Sequence, residues 1–439
     1  SDEYKRQYPD IAWRLDVNGT QKTDAIEAGD VYSLDEYLDY APNYKSFLEE
    51  NPEIALQTKY KDGKMYSFPY VYLDETSYNL RDQWFINKQW LDELGLEMPT
   101  TTSEYLDVLR AFRDNAGTGT IPENVTPHYM RYGEFIGGQF DIYGTFGLYV
   151  YDSTYLALED GKVVCQAINP DIKEPLKYLQ TMYREGLMKP EAFTDDWAAY
   201  SAATTSDPPM VGAFTAFQSA NLTDVGQWFY PMAPLDPENG KEPYIRAQVK
   251  GSTFPMNYLI FKNNKYPVAS VRLANYMAEP EVSMSLEKGV EGVGWYYNDD
   301  GEMELNPDAA AVNMADEDKP LGNHGILLLT SDMFVDPTRS IEPKRGWAYD
   351  NIYKNYIPEE SKNMPNVPSG MLEEMEVTTM SDLQLQITDY IKVTFATWIT
   401  DDVDIDAEWD AFVNRMNELQ VEEWVALKQK EIDNASKLS

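Results

Sequence analysis

Apolar and polar positions switch along this chain between strand and helix periods, and the switches fall at turn residues. From Met65 to Tyr72 a run rich in Tyr, Phe and Val follows the tight-turn pair Asp62-Gly63, which predicts a strand. Trp90, Leu91 and Leu94 then share one helical face behind Asn87, a residue suited to capping a first turn, and Gly95 supplies the left-handed stop. A second helix opens at once, because Thr101 and Glu104 stand at capping-box spacing ahead of Tyr105, Leu106, Leu109 and Phe112. Asn169-Pro170 starts a third, carrying Ile172, Leu176, Leu179 and Tyr183 and ended by Gly186; Pro267 opens a fourth with Val268, Val271 and Ala274. Between them Val211 to Phe217 and Tyr258 to Phe261 read as short buried strands, so strand and helix alternate as an α/β layer requires. Near the end, Trp409, Phe412, Met416 and Leu419 form one stripe, continued by Trp424 and Leu427, and both stripes are read as packing faces. Residues 355–370, with Pro358, Pro365 and Pro368, are read as an exposed loop.

Composition narrows the chemistry. At 439 residues the chain is long enough for two or three domains, and its 43% hydrophobic content makes it globular. Lys and Arg total 36 against 74 Asp and Glu, and a net charge of -38 repels nucleic acid and anionic lipid alike. The single cysteine, Cys165, follows Val163 and Val164 and is read as a buried, inert thiol. Only His128 and His324 are available as imidazoles, with no zinc spacing, no GxSxG, no phosphate loop and no GxGxxG, so no cofactor is expected. Carboxylate pairs of the kind a glycosidase uses are too numerous here to mark a site.

Several stretches carry a resemblance. DGKMYSFP at 62–69 and NKQWLDELGLEMPTTTSEYL at 87–106 are followed in order by DGKVV at 160–164, LKYLQTMYREGLMKPEAFT at 176–194, VGAF at 211–214 and KGVEGVGW at 288–295. The closing segment 404–433, DIDAEWDAFVNRMNELQVEEWVALKQKEID, fits the same series. Together they resemble the extracellular solute-binding proteins of ABC importers, family 1, in the large lipoprotein-type branch associated with sugars and oligosaccharides. The resemblance implies an α/β, two-lobed periplasmic-binding-protein-like fold with a hinge and an interlobe ligand cleft. It also implies a non-enzymatic role: capture of a carbohydrate, delivery to a membrane permease, and an extracellular, monomeric protein held to the membrane only through a lipid anchor. Residues 1–115 are expected to build the N-terminal lobe, with part of 300–380 returning to it; 150–300 are expected in the C-terminal lobe, and 381–439 as helices packing on the lobes. The N-terminus departs from the family pattern, since a small-residue and acidic segment is missing around Asp24 and Ala25 and a first strand before Ser1 is lacking. Missing residues, and a break in the chain at Asp24-Ala25, are therefore expected.

A sugar ring has polar edges and an apolar CH face, so its site needs flat rings against the face and hydrogen-bonding groups around the edge. Trp84, Trp228, Trp295 with Tyr296, and Trp347 are the candidate platforms, each outside an obvious helical stripe. Burying about three CH groups on one ring gains on the order of 2 kcal/mol. Tyr70, Asp74 and Glu75 leave the first strand toward the expected cleft, where the carboxylates suit vicinal hydroxyls, and Arg246 is a further candidate. By contrast Trp90, Trp409 and Trp424 are assigned to the core. Family members sometimes carry an EF-hand-like loop after the helix ending here near Phe112. In RDNAGTGTIPEN, residues 113–124, only Asp114, Asn115 and Glu123 remain as weak calcium ligands. Two other readings stay open: a glycoside hydrolase or lyase with an aromatic acidic cleft, and a receptor for peptide or another polar solute.

Overall fold

The computed structural model describes residues 8–13, 19–73, 80–216, 228–247, 252–306, 315, 317–320, 328–330, 348–358, 362, 364–365, 367–368 and 370–438. Its strands are β1 (Ile11–Trp13), β2 (Ser67–Leu73), β3 (Gln83–Asn87), β4 (Thr126–Tyr129), β5 (Leu156–Glu159), β6 (Lys162–Cys165), β7 (Val211–Ala216), β8 (Phe229–Met232), β9 (Ser252–Ile260), β10 (Trp295–Tyr297), β11 (Met303–Leu305) and β12 (Leu328–Thr330). The helices are α1 (Gly19–Glu27), α2 (Pro42–Glu50), α3 (Pro52–Gln57), α4 (Lys88–Leu94), α5 (Thr102–Asp114), α6 (Phe140–Thr145), α7 (Lys173–Arg184), α8 (Trp197–Thr204), α9 (Pro267–Met277), α10 (Pro280–Lys288), α11 (Glu374–Thr400), α12 (Ile405–Glu418) and α13 (Val421–Ala435).

Two four-stranded sheets divide the molecule, ordered β1-β9-β2-β12 and β4-β7-β3-β8. In each, three strands associate by antiparallel pairing, and one edge strand is parallel: β12 on β2 in the first, β4 on β7 in the second. Phe68, Val71, Tyr258 and Ile260 of the first sheet pack with Val271 and Ala274 of α9 and with Tyr44 and Phe47 of α2. The second sheet turns Trp84 and Ile86 toward α4 and α5, while Phe85 faces Tyr129, Tyr200 and Phe214. This is the two-lobed α/β fold.

Local signals behave as their chemistry dictates. Asn87 accepts the Trp90 N–H at 3.1 Å, and Gly95 stops α4 at φ 65°. Thr101 and Glu104 form the reciprocal capping box of α5, which contributes on the order of 1 kcal/mol. Tyr105, Val108, Leu109 and Phe112 are its buried stripe. At the C-terminus α11 supplies Leu383, Ile387, Ile391, Phe395 and Trp398 to the core of the second lobe, where α12 and α13 add Trp409, Phe412 and Trp424. Trp90, Trp409 and Trp424 are thus core residues, and Cys165 is buried with its thiol pushed up to about 11 by burial.

The expected lobe boundaries are corrected by the strand pairing. β3, α4 and α5 lie before residue 115 yet belong to the second sheet and its core, whereas β9, α9 and α10 lie within 150–300 yet belong to the first. The physical reason is that a strand's apolar run states that it is buried and says nothing of which sheet it joins. β12 pairs in parallel with β2 at the edge of the first sheet. The chain passes Asp24 and Ala25 inside α1, with Ala28 N–H on the Asp24 carbonyl and Asp30 N–H on the Ala25 carbonyl, both at 2.9 Å; the break expected there is absent.

Candidate functional site

Segments cross between the sheets at one end of the second lobe. Strand β3 starts there, β7 ends there, and β4, parallel to β7, releases the loop 130–139 from the same end. Arg81, entering β3, donates its N–H to the carbonyl of Arg246, leaving the lobe, at 2.8 Å. A third segment, residues 348–358, is fastened beside them: Ile245 N–H reaches the Tyr356 carbonyl at 3.0 Å, and the Tyr353 hydroxyl donates to the Met232 carbonyl at 2.9 Å while accepting the Trp84 N–H at 3.0 Å. Leu80, Ile245, Ala348 and Tyr353 form a small apolar core around these contacts. This is the hinge.

Beside the hinge, Arg246 organises a sealed charge network. Its guanidinium, 1% exposed, donates Nε and Nη2 to the two Asp141 oxygens at 2.8 Å each, and Nη2 to Asp82 Oδ2 at 3.1 Å. Nη1 donates to the Phe135 and Tyr151 carbonyls at 3.1 and 2.9 Å. Burial acts against its charge, but the Asp141 and Asp82 carboxylates outweigh that and hold the guanidinium above its ordinary pKa. For Asp141, burial raises the carboxyl despite Arg246. Asp82 also accepts the Gly137 N–H at 2.8 Å, so the network pins the loop at both Phe135 and Gly137. Gly137 has φ 68°, and a Cβ there would sit 2.6 Å from the Tyr200 ring; only glycine fits.

The loop presents rings. Phe135, 38% exposed, lies over the Arg81 guanidinium at 4.0 Å and meets Tyr151 edge-on at 5.3 Å. Cation–π contact of this kind contributes roughly 0.5–2 kcal/mol and fixes the ring in place. On the other flank Arg131 stands 5.3 Å from the ring of Trp197, an indole 48% exposed at the first turn of α8. The arrangement offers flat apolar faces, held from beneath, at the strand ends beside the hinge.

The residues singled out from sequence are placed differently. Trp84, 2% exposed, packs T-shaped on Tyr105 at 5.8 Å inside the second lobe, and Trp295, 1% exposed, donates its Nε1–H to Ser285 at 3.2 Å inside the first. Tyr70 joins Trp295 in that same internal cluster, with its hydroxyl on Glu287 at 3.3 Å, so the structure brings these two together within a core. As open platforms Trp84 and Trp295 are therefore corrected, and so is Tyr70 as a residue facing the cleft: apolar neighbours close over each ring. Trp228 is half-buried at the start of β8, its carbonyl accepting the Lys88 N–H at the sheet end opposite the hinge. Tyr296 is half-buried on the β10–β11 hairpin. Arg246 is at the hinge, but its donors are consumed by protein. Asp74, Glu75, Trp347 and His324 lie outside the described residues. Phe135, Tyr151, Arg81, Arg131 and Trp197 were missed; the available signal was Arg-Tyr-Gly-Glu-Phe-Ile-Gly-Gly at 131–138, rings and charge interleaved with glycine just past a short strand.

The loop 113–124 does not assemble a cation cage. Asp114 pairs with Arg113 at 2.7 Å, Asn115 donates to the Ala111 carbonyl at 2.9 Å, and Glu123 packs under Gly117. Closure comes from Glu93, which accepts the Thr120 N–H at 3.0 Å and its hydroxyl at 2.9 Å. Among the described residues no group of three or more His, Cys, Asp or Glu could hold a metal ion. A concavity of about 780 Å³ lies elsewhere, between β6 and α13; it is an open groove lined by Val163, Val164, Ile168, Val421 and Val425, with no ring to stack on.

The fold is the two-lobed α/β fold of solute-binding proteins. The fructooligosaccharide ABC transporter substrate-binding protein FusA of Streptococcus pneumoniae is 26% identical over 427 residues, covering 92% of this chain and 76% of FusA. Lipoprotein LipO of Bacillus subtilis is 25% identical over 192 residues, 43% of this chain and 34% of its own length. Among solved structures, FusA in complex with kestose superposes with a TM-score of 0.84 at 22% identity, covering 100% of this chain and 90% of FusA. An HMO-binding solute-binding protein of Bifidobacterium longum infantis gives 0.81 at 20% identity, over 97% and 87%. No protein-family profile matches the chain. Over most of its length the chain is similar to an extracellular substrate-binding protein of an ABC importer.

Proposed function

We propose that this protein captures an oligosaccharide outside the cell and delivers it, chemically unchanged, to the permease of an ABC importer. The observation that carries the reading is the ring of Phe135, pinned over Arg81 beside the hinge, where a sugar's CH face stacks and the first lobe swings against it. Ligand touching both lobes favours the closed form by its differential contacts, and closure is what the permease reads. The kinship with FusA supports the carbohydrate and the transporter. Asp82 and Asp141, the carboxylates of the network that holds the platform, are bound to Arg246 rather than poised as acid and base, which favours binding over hydrolysis. The protein acts as a monomer and is held to the outer face of the membrane by a lipid anchor, the anchor alone being supported by the similarity to the lipoprotein LipO.

A thermal-shift screen against fructo-, malto-, cello- and milk oligosaccharides, with dipeptides and tripeptides alongside, tests this. A true ligand at 100 times its Kd adds about 2.7 kcal/mol to apparent stability, so one glycan series is expected to raise Tm by degrees. Peptides moving Tm while every glycan leaves it fixed overturns the ligand class, and glycan cleavage during incubation overturns the transport role.

A further inference from the structure

Trp197 is a large aromatic residue left nearly half open at the end of the lobe where the segments cross. Its place follows from the topology. Strand β7 runs toward the hinge and ends at Ala216, with the Tyr200 hydroxyl on the Thr215 carbonyl, and α8 begins at that end with Asp196 capping the Ala199 N–H at 2.9 Å. Tyr129, the last residue of β4, bonds Asp195, immediately before the cap, and Asp195 also pairs with Lys189 at 2.6 Å. The indole is supported from below: the Tyr200 ring lies 5.5 Å away, and the Arg131 guanidinium carbon stands 5.3 Å from one ring and 5.2 Å from the other. Arg131 is itself buried, with Nη2 on the Ile136 carbonyl at 2.9 Å and Nη1 3.6 Å from Glu134, while Nε is enclosed with no hydrogen-bond partner. One face of the indole is therefore fixed by cation and ring, and the other meets solvent.

We infer that Trp197 is an outer subsite of the same binding site, stacking on a sugar ring further along the chain than the one held over Phe135. Phe135, within the loop 131–137, lies 5.5 Å from Arg246, which its own carbonyl engages, and Trp197 lies 5.3 Å from Arg131, which the adjacent Ile136 carbonyl engages, so two consecutive loop carbonyls anchor the arginines behind the two rings. A single ring occupies one platform; a chain of several units reaches both. The chemistry selects a neutral oligosaccharide with CH-rich faces, and Trp197 sets how strongly affinity grows with length. A preheld ring is suited to this because little rotamer entropy remains to be lost on binding.

This inference rests on the carbohydrate reading, and the experiment separates the two. Wild type, Trp197→Ala and Trp197→Phe are titrated by calorimetry with fructo-, malto- and cello-oligosaccharides of two to six units, and circular dichroism melts check that the variants fold. In wild type one series is expected to bind more tightly as units are added. Trp197→Ala is expected to lose roughly tenfold on the longest member and under about twofold on the shortest, and Trp197→Phe to restore most of the loss. An equal loss at every length, or none, overturns the subsite while leaving the carbohydrate reading standing. Wild type that binds none of the three series overturns both.

Discussion

Two arginines beside the hinge make the same kinds of contact and serve different ends. Arg246 and Arg131 both donate to carbonyls of the loop 130–139, and both lie against aromatic rings. Around Arg246 two carboxylates and two carbonyls take up the donors, and the charge is sealed. Around Arg131 the paired carboxylate among the described residues is the solvent-facing Glu134 at 3.6 Å, and the ring it supports opens outward. The difference teaches that an arginine near a cleft is informative through what its neighbours leave over. A fully consumed guanidinium shapes the site, while a partly consumed one shapes the site and also backs a surface for ligand.

The strongest way to break that contrast is Arg246→Met. Removing the cation leaves Asp141 buried without its partner and Asp82 with Arg81 alone, Nη1 3.3 Å away, and severing a buried ion pair from one side costs roughly 3–5 kcal/mol. A urea midpoint should fall accordingly, whereas Trp197→Ala, which uncovers no buried charge, should leave the midpoint within about 0.5 kcal/mol of wild type. Adding Asp82→Asn and Asp141→Asn to Arg246→Met should recover part of the loss, because neutral amides no longer need the cation. A triple variant no more stable than Arg246→Met alone would show that the network contributes through packing instead of charge.

His128 sharpens the comparison from inside the sealed half. It lies on β4, three residues before Arg131, with Nδ1 2.7 Å from the Tyr105 hydroxyl, and burial drives its pKa down to about 3. The unfolded chain takes up this proton near pH 6.5 and the folded protein does not until about 3, so stability falls as pH drops through that window. At pH 5 the penalty is about 2 kcal/mol. His128→Gln should flatten the acid limb of a Tm-against-pH curve between pH 6.5 and 5 relative to wild type; superimposable limbs would exclude His128 as a source of acid sensitivity.

How far these features were legible depends on the distance over which their cause acts. Caps act within one turn, and Asn87, Gly95, Thr101 and Glu104 do in the structure what their spacing implied. The stripe of Trp409, Phe412 and Met416 was equally plain, since a helix carries its own period. Strand β3 carries no such mark, because all five of its residues are buried, and without alternation QWFIN cannot announce that Trp84 points into the helical layer. Arg246 was noticed, but its partners lie 164 and 105 residues away, and no local pattern announces two distant carboxylates converging on one guanidinium. Trp197 went unnoticed for a related reason. An aromatic residue in a first helical turn reads as ordinary until β4 and β7 are seen to deliver Arg131 and Tyr200 beneath it.

The smallest effect belongs to the loop 113–124, where exposed polar groups do structural work on their own. Glu93 replaces any need for a cation there by accepting both Thr120 donors, and its carboxyl is lowered by the Thr120 backbone N–H first, with the Thr120 hydroxyl and Gln89 adding to it against weak burial. Being lowered, it contributes stability above the ordinary glutamate pKa and loses it as pH falls through the folded value. Because the group faces solvent, Glu93→Ala should cost under about 1 kcal/mol. Gly119 makes this contact measurable: at φ 59° a Cβ would come within 2.5 Å of the Glu93 carboxylate. Gly119→Ala carries a left-handed backbone penalty of roughly 1 kcal/mol in any background, and in wild type it also displaces the carboxylate. A double-mutant cycle should therefore show Gly119→Ala to be less damaging in Glu93→Ala than in wild type, with faster amide exchange at Thr120 in every variant that loses the contact. Additive effects, together with unchanged Thr120 exchange, would mean that the loop is closed by its backbone turns alone and that Glu93 merely rests upon it.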